Sequence, residues 1–335
     1  MIEEFLRVLS DPAVLIPLSS ILGATATAYV TTNTIKNYKI IKDNKDKKIS
    51  FLPSHIVDEC KEVNTSRFSG DIKDTIEEFY SKLSNKVDDK LLINFRNNLE
   101  SLKINKGKTN HFFIGGYYCA SNNSIIYTKN KKHLLFHELL HMASSHREKN
   151  VLYTGFEQYT GGVSVGDGFN EGYTELLTNR FFNKNKFDNK GIIFMDIYNY
   201  LVRVMRVVED VVGKDKMIEY YFKSDMPSLC NDLLKYINES DLRLLFANTD
   251  YLVECFKHLQ GGITHNFNMD KFDSVNQILI SMYTNKLKQN NELTKENLDR
   301  LYNMLPKTYI SELTIFGGTY DINREIPEYE NLKGR

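Results

Sequence analysis

The sequence predicts an α+β fold in which a small sheet with an edge hairpin precedes a helix carrying His137-Glu138-Leu139-Leu140-His141. A second, acid-bearing helix follows, and mainly helical regions flank the unit on both sides. Three observations predict this arrangement. His111 to Cys119 is rich in aromatic residues and punctuated by Gly115 and Gly116, as a strand would be; Ala120 to Ser124 then turns the chain into the short strand Ile125-Ile126-Tyr127. Asn130 is suited to cap a helix over 131–146, which carries both histidines. Apolar residues at helical spacing recur before and after this region.

Composition narrows the function classes. The chain has 335 residues, enough for one large domain or two smaller ones, and an apolar fraction of 41% typical of a globular protein. Lys+Arg and Asp+Glu are equal at 43 each, so no global field points to nucleic acid, and no nucleic-acid partner is expected. Cys60, Cys119, Cys230 and Cys255 are far apart and form no C-x-x-C pair, which excludes a cysteine-ligated zinc knuckle and a thioredoxin-type redox site. Buried thiols are the expected state.

In chain order, 1–11 is a short amphipathic start. Residues 12–35 carry no charged side chain and are long enough to span a bilayer as a helix. The lysine-rich linker at 36–50 places the following domain on the cytoplasmic side by the positive-inside rule. The expectation is a single-pass membrane protein with its catalytic domain facing the cytoplasm. Residues 51–110 read as a helical subdomain, with Ile72, Ile76, Phe79, Tyr80 and Leu83, then Leu91, Leu92, Phe95, Leu99 and Leu102, as core stripes. The catalytic core is expected at 111–190, with a polar connection after His146 and a hairpin or loop over Tyr153 to Asp167. A helical subdomain follows at 191–305 and an irregular tail at 306–335.

His137 and His141 lie four residues apart, so on a helix their imidazoles share a face and can hold one zinc ion. Glu138 points off that axis, which suits a base acting on water more than a ligand. Hydrolytic zinc needs a third protein ligand. The metzincin continuation would require Gly and His where this chain has Ser144 and Arg147, and His146 falls on another side of the helix. Glu171 and Glu175 share a face of the next helix; Glu171 is preferred as ligand, leaving Glu175 to accept an N–H from a ligating histidine. Tyr173, Tyr153 and His265 each remain open as donors to an oxyanion.

H-E-L-L-H on one helix with N-E-G-Y-T-E on the next resembles the gluzincin group of zinc metallopeptidases, over about His111 to Phe182. The resemblance implies a zincin-like core and one Zn2+ per chain held by His137, His141 and Glu171. It also implies Glu138 as the catalytic base and Glu175 as the outer partner, where an aspartate is commoner. The hairpin is similar to the edge strand by which such enzymes hold an extended peptide, which implies Gly115, Gly116 and Tyr117 as substrate-binding residues. The expected function is a membrane-tethered zinc peptidase acting on a peptide or protein. Two alternatives are a non-catalytic membrane-anchored binding protein on the same scaffold and a zinc amide hydrolase acting on cell-wall peptides.

Overall fold

The computed structural model describes residues 63–106, 116–127, 132–182, 195–260 and 269–306. The proposed membrane span at 12–35, its lysine flank, Gly115, His265 and the tail from 307 lie outside them. No helix among the described residues is long and apolar enough to cross a membrane.

The first helix, α1 (Gly70–Ser84), buries Ile76, Phe79 and Leu83 as one stripe. A single 3₁₀ turn, Asp89–Leu92, leads into α2 (Ile93–Ser101). Leu102 then turns extended and the chain enters β1 (Lys103–Lys106). This short strand falls within the stretch read as a helical subdomain. The strand pairs in parallel with β3 (Ser124–Tyr127), which also pairs antiparallel with β2 (Gly116–Cys119), giving the order β1-β3-β2. Among the described residues β2 is therefore an edge strand.

Helix α3 (Lys132–Ser144) carries the histidines and is buried from Leu135 to Ser144. It stops short of His146 because Ser145 opens β4 (Ser145–Glu148), the first strand of an antiparallel meander where a polar connection was expected. β5 (Val151–Thr154), β6 (Glu157–Thr160) and β7 (Val163–Val165) complete the order β4-β5-β6-β7. The β6–β7 turn is Gly161-Gly162, whose φ values of 57° and 88° are the positive pair that a two-residue hairpin favours.

The remaining elements among the described residues are helices: α4 (Asp167–Phe181), α5 (Met195–Val212), α6 (Lys214–Lys223), α7 (Met226–Leu233), α8 (Glu239–Gln260), α9 (Met269–Gln289) and α10 (Lys295–Met304). Cys119, Cys230 and Cys255 are free thiols.

Two devices fix the helices that matter for the site. The C-terminus of α3 has orphan carbonyls, and the Asn98 amide of α2 donates to Met142 O and Ser145 O, both at 2.7 Å. The Asn98 carbonyl in turn accepts from Asn123 Nδ2 of the β2–β3 turn at 2.6 Å. Asn98→Ala removes both of these buried hydrogen bonds and is expected to destabilise the domain by about 2–4 kcal/mol. A chemical denaturation midpoint checks this; a loss below about 0.5 kcal/mol would contradict it.

The second device holds α4 between α8 and α5. The N–H groups of Gly166 and Gly168 donate to the Asp250 carboxylate of α8 at 2.9 and 2.8 Å, so the cap of α4 comes from a neighbouring helix. A methyl group on Gly168 would lie 2.5 Å from the Thr249 backbone carbon, and one on Gly172 would lie 2.9 Å from Leu201 O. Both glycines permit backbone approaches that no other residue allows. Between them on α4 sits Glu171.

Candidate metal centre

A helix buried all round leaves its polar side chains no access to bulk water, so each must find a partner. On α3, His137, Glu138 and His141 are 7%, 7% and 5% exposed. The partners of the two histidines come largely from α4, which packs directly against α3. His137 Nε2 lies 3.0 Å from His141 Nε2 and 3.3 Å from Glu171 Oε2, and His141 Nε2 lies 3.6 Å from Glu171 Oε1. Donor atoms around a tetrahedral zinc with bonds near 2.0–2.1 Å stand about 3.3 Å apart. The three side chains fit that spacing, and among the described residues they are the group suited to hold a metal ion.

The charges show how tightly these groups are coupled. Burial alone would depress the basicity of His137, but Glu171 and Glu175 outweigh it and hold the imidazolium well above the usual histidine range. Burial likewise opposes ionisation of Glu171, yet His141 and His137 keep its carboxyl well below the usual carboxylate range. The pocket favours positive charge between the two histidines and the glutamate, and a metal ion would supply it in place of a proton.

Each histidine is also oriented from behind. His137 Nδ1 is 3.0 Å from Glu175 Oε2, whose other oxygen accepts from Asn179 Nδ2 at 3.1 Å. That bond places the His137 proton on Nδ1 and leaves Nε2 for a metal. His141 Nδ1 faces the Asn170 amide at 3.2 Å and Thr174 Oγ1 at 3.4 Å. Asn170 is 1% exposed, and its Oδ1 has no hydrogen-bond partner. A half-turn of the amide lets Oδ1 accept the His141 Nδ1–H, which satisfies the orphaned oxygen and presents His141 Nε2 unprotonated. The chemistry of the donor set and this orphan acceptor both agree with a bound metal.

Glu138 stays outside the triangle of donors. Its carboxylate accepts a hydrogen bond from the Tyr118 N–H of β2, and burial pushes its carboxyl above the usual value, against the pull of His137 and His141. A methyl group at Gly116 would sit 2.9 Å from Glu138 Cγ and Oε1, so a side chain there would press directly on the base. In an antiparallel ladder alternate residues point their N–H and C=O outward, so the groups of Gly116 share the Tyr118 edge that faces Glu138.

The other sequence candidates fall as follows. Tyr117 is on β2, its hydroxyl acidity suppressed chiefly by burial and then by the nearby Cys119, Glu157, Asp167 and Glu138. Tyr173 is fully buried and donates to Glu209 Oε1 at 2.9 Å, away from the donors. Tyr153 stacks on His146 with ring centroids 4.9 Å apart, on the β4–β5 ladder. Sequence reasoning gave no role to Asn170 or to Tyr198. Asn170 stands beside Glu171 in the quoted motif, and its partner became visible only with His141 Nδ1 in place. Tyr198 of α5 meets the His137 ring edge-on, with centroids 6.0 Å apart and planes at 85°. Burial, then Glu171, Glu138 and Glu175, push its phenol well above the ordinary value.

Comparison of the chain with protein families, with curated proteins and with solved structures finds no match.

Proposed function

We propose that the chain is a zinc-dependent peptidase of gluzincin type on a zincin-like core, tethered to a membrane through residues 12–35 with its catalytic domain facing the cytoplasm. The observation that carries the reading is the division of labour among the buried polar groups. Three side chains converge their donor atoms, a fourth carboxylate orients a histidine, and Glu138 sits beside the group without joining it.

His137, His141 and Glu171 would hold one Zn2+, a donor set of two nitrogens and one oxygen that suits this ion. When bound, zinc supplies Lewis acidity, polarising a carbonyl and making water a better nucleophile. The remaining work falls to the protein. The outward edge of β2 at Gly116 receives the main chain of an extended peptide, in the manner of strand addition. Glu138 takes a proton from the attacking water as its oxygen bonds to the scissile carbonyl carbon and the π pair moves onto the carbonyl oxygen. The same proton then passes to the amide nitrogen as the C–N bond breaks, giving a carboxyl and an amine. Burial raises the Glu138 carboxyl, which makes its carboxylate a stronger acceptor for the water proton than an ordinary one.

The membrane tether rests on the uncharged stretch and its lysine flank. Chelation tests the catalytic reading. Cleavage of fluorescein-labelled casein by the full-length protein should be lost with 1,10-phenanthroline and return with about one equivalent of Zn2+ per chain. Undiminished cleavage by the metal-stripped protein would contradict it.

A further inference from the structure

A group of cations at the C-terminal end of α4 takes no part in the chemistry proposed above. A cavity of about 660 Å³ lies there between α4, α5, α6 and α10, a size that suits a small-molecule ligand. Arg180, Arg206, Lys214 and Arg300 line it, with Glu209 and Asp210 as its acids. Both acids are already engaged. Glu209 accepts from Arg180 Nη1 at 2.8 Å, from Arg180 Nη2 at 2.5 Å and from the Tyr173 hydroxyl at 2.9 Å. Asp210 accepts from the Tyr283 hydroxyl at 2.5 Å and pairs with Arg300. That leaves Arg206 and Lys214, whose side chains hold no hydrogen bond or ion pair among the described residues.

Cations crowded in this way oppose one another. Partial burial, then the charges of Arg203 and Arg180, hold the Arg206 guanidinium below its ordinary value, and Glu209 offsets them only in part. Arg203 adds its charge from one turn away, its guanidinium donating to Asn303 O at 3.2 Å and Leu305 O at 3.4 Å. A guanidinium keeps its proton at neutral pH, so Arg206 stays charged and without a counter-ion of its own. An anion in the cavity removes that conflict. The class of anion follows from the donors. An arginine fork matches the oxygens of a phosphoryl group, and the ammonium of Lys214 adds a second positive charge for a dianion. Leu176 and Met304 supply apolar lining for the rest of the molecule.

We infer that this cavity binds a small organic phosphate, with the phosphoryl oxygens on Arg206 and its apolar part against Leu176 and Met304. The site is separate from the candidate metal centre and does not rest on the peptidase reading. Asn179 stands between the two. It lines the cavity and donates to Glu175 Oε1 at 3.1 Å, and the other oxygen of Glu175 meets His137.

The test is a calorimetric titration of the full-length protein with phenyl phosphate. The wild type is expected to bind it, and Arg206→Gln to bind about 10-fold or more weakly. Arg206→Glu, which turns the attraction into repulsion, should abolish binding. Arg206 lies outside the packed core, so both substitutions leave the fold in place. Benzoate, a carboxylate of single charge, should bind the wild type more weakly than phenyl phosphate does. No binding by the wild type would overturn the proposal. Equal affinity in Arg206→Gln and wild type, as binding to a metal ion would give, would also overturn it. Benzoate binding as tightly as phenyl phosphate would overturn the assignment to phosphates. The titration reads the anion alone, so none of these results bears on the peptidase reading.

Discussion

Glu138→Gln is expected to hold zinc as the wild type does and to lose about 10²–10⁴-fold or more in peptide cleavage. The expectation follows from what Glu138 touches. Its carboxylate belongs to neither histidine and is not among the converging donors, so an amide of the same shape leaves His137, His141 and Glu171 in place. The Tyr118 N–H keeps an acceptor in the amide oxygen, so the edge strand should not shift. What the amide cannot do is take a proton from water. Labelled casein, with zinc content measured on the same samples, checks both halves. Cleavage at the wild-type rate by Glu138→Gln would show that another group is the base.

The second large effect separates the two acids of α4. Glu171→Ala is expected to bring bound zinc below about half an equivalent under conditions where the wild type holds about one. Glu175→Gln should bind more weakly, by about 10–100-fold, and still load at saturating zinc, because it removes an orienting bond from His137 Nδ1 and no donor. The two carboxylates lie one turn apart on one helix face, so only their contacts distinguish them. Glu171 reaches both Nε2 atoms, whereas Glu175 reaches His137 from behind. Equal losses from the two variants would contradict this division.

The legible parts of the fold and site were those set by short spacings. His137 and His141 share a face because four residues make about one turn, and Glu171 and Glu175 repeat the rule on the next helix. Of the strand expected over His111 to Cys119 the described part is Gly116–Cys119, and the helix expected over 131–146 runs Lys132–Ser144; both patterns are local. β1 and β4 were missed for the opposite reason. Each is four residues long, and β1 exists only through parallel pairing with Ser124–Tyr127, a partner that local periodicity cannot reveal.

Asn98 and Asp250 were illegible in the same way, since each satisfies backbone groups far along the chain. The tyrosines near the histidines show the limit most clearly. Tyr173 lies within the motif, yet its hydroxyl donates to Glu209, which also accepts from Arg180. Tyr198 lies outside the motif, on a helix far along the chain, and its ring meets His137 edge-on.

The catalytic reading depends on whether a metal ion occupies the space between His137, His141 and Glu171. Zinc content of the purified full-length protein after dialysis against metal-free buffer measures that directly. The account predicts about one equivalent in the wild type and in Glu138→Gln, and a large loss in His141→Ala. Less than about half an equivalent in both the wild type and Glu138→Gln, after reloading with Zn2+, would contradict it.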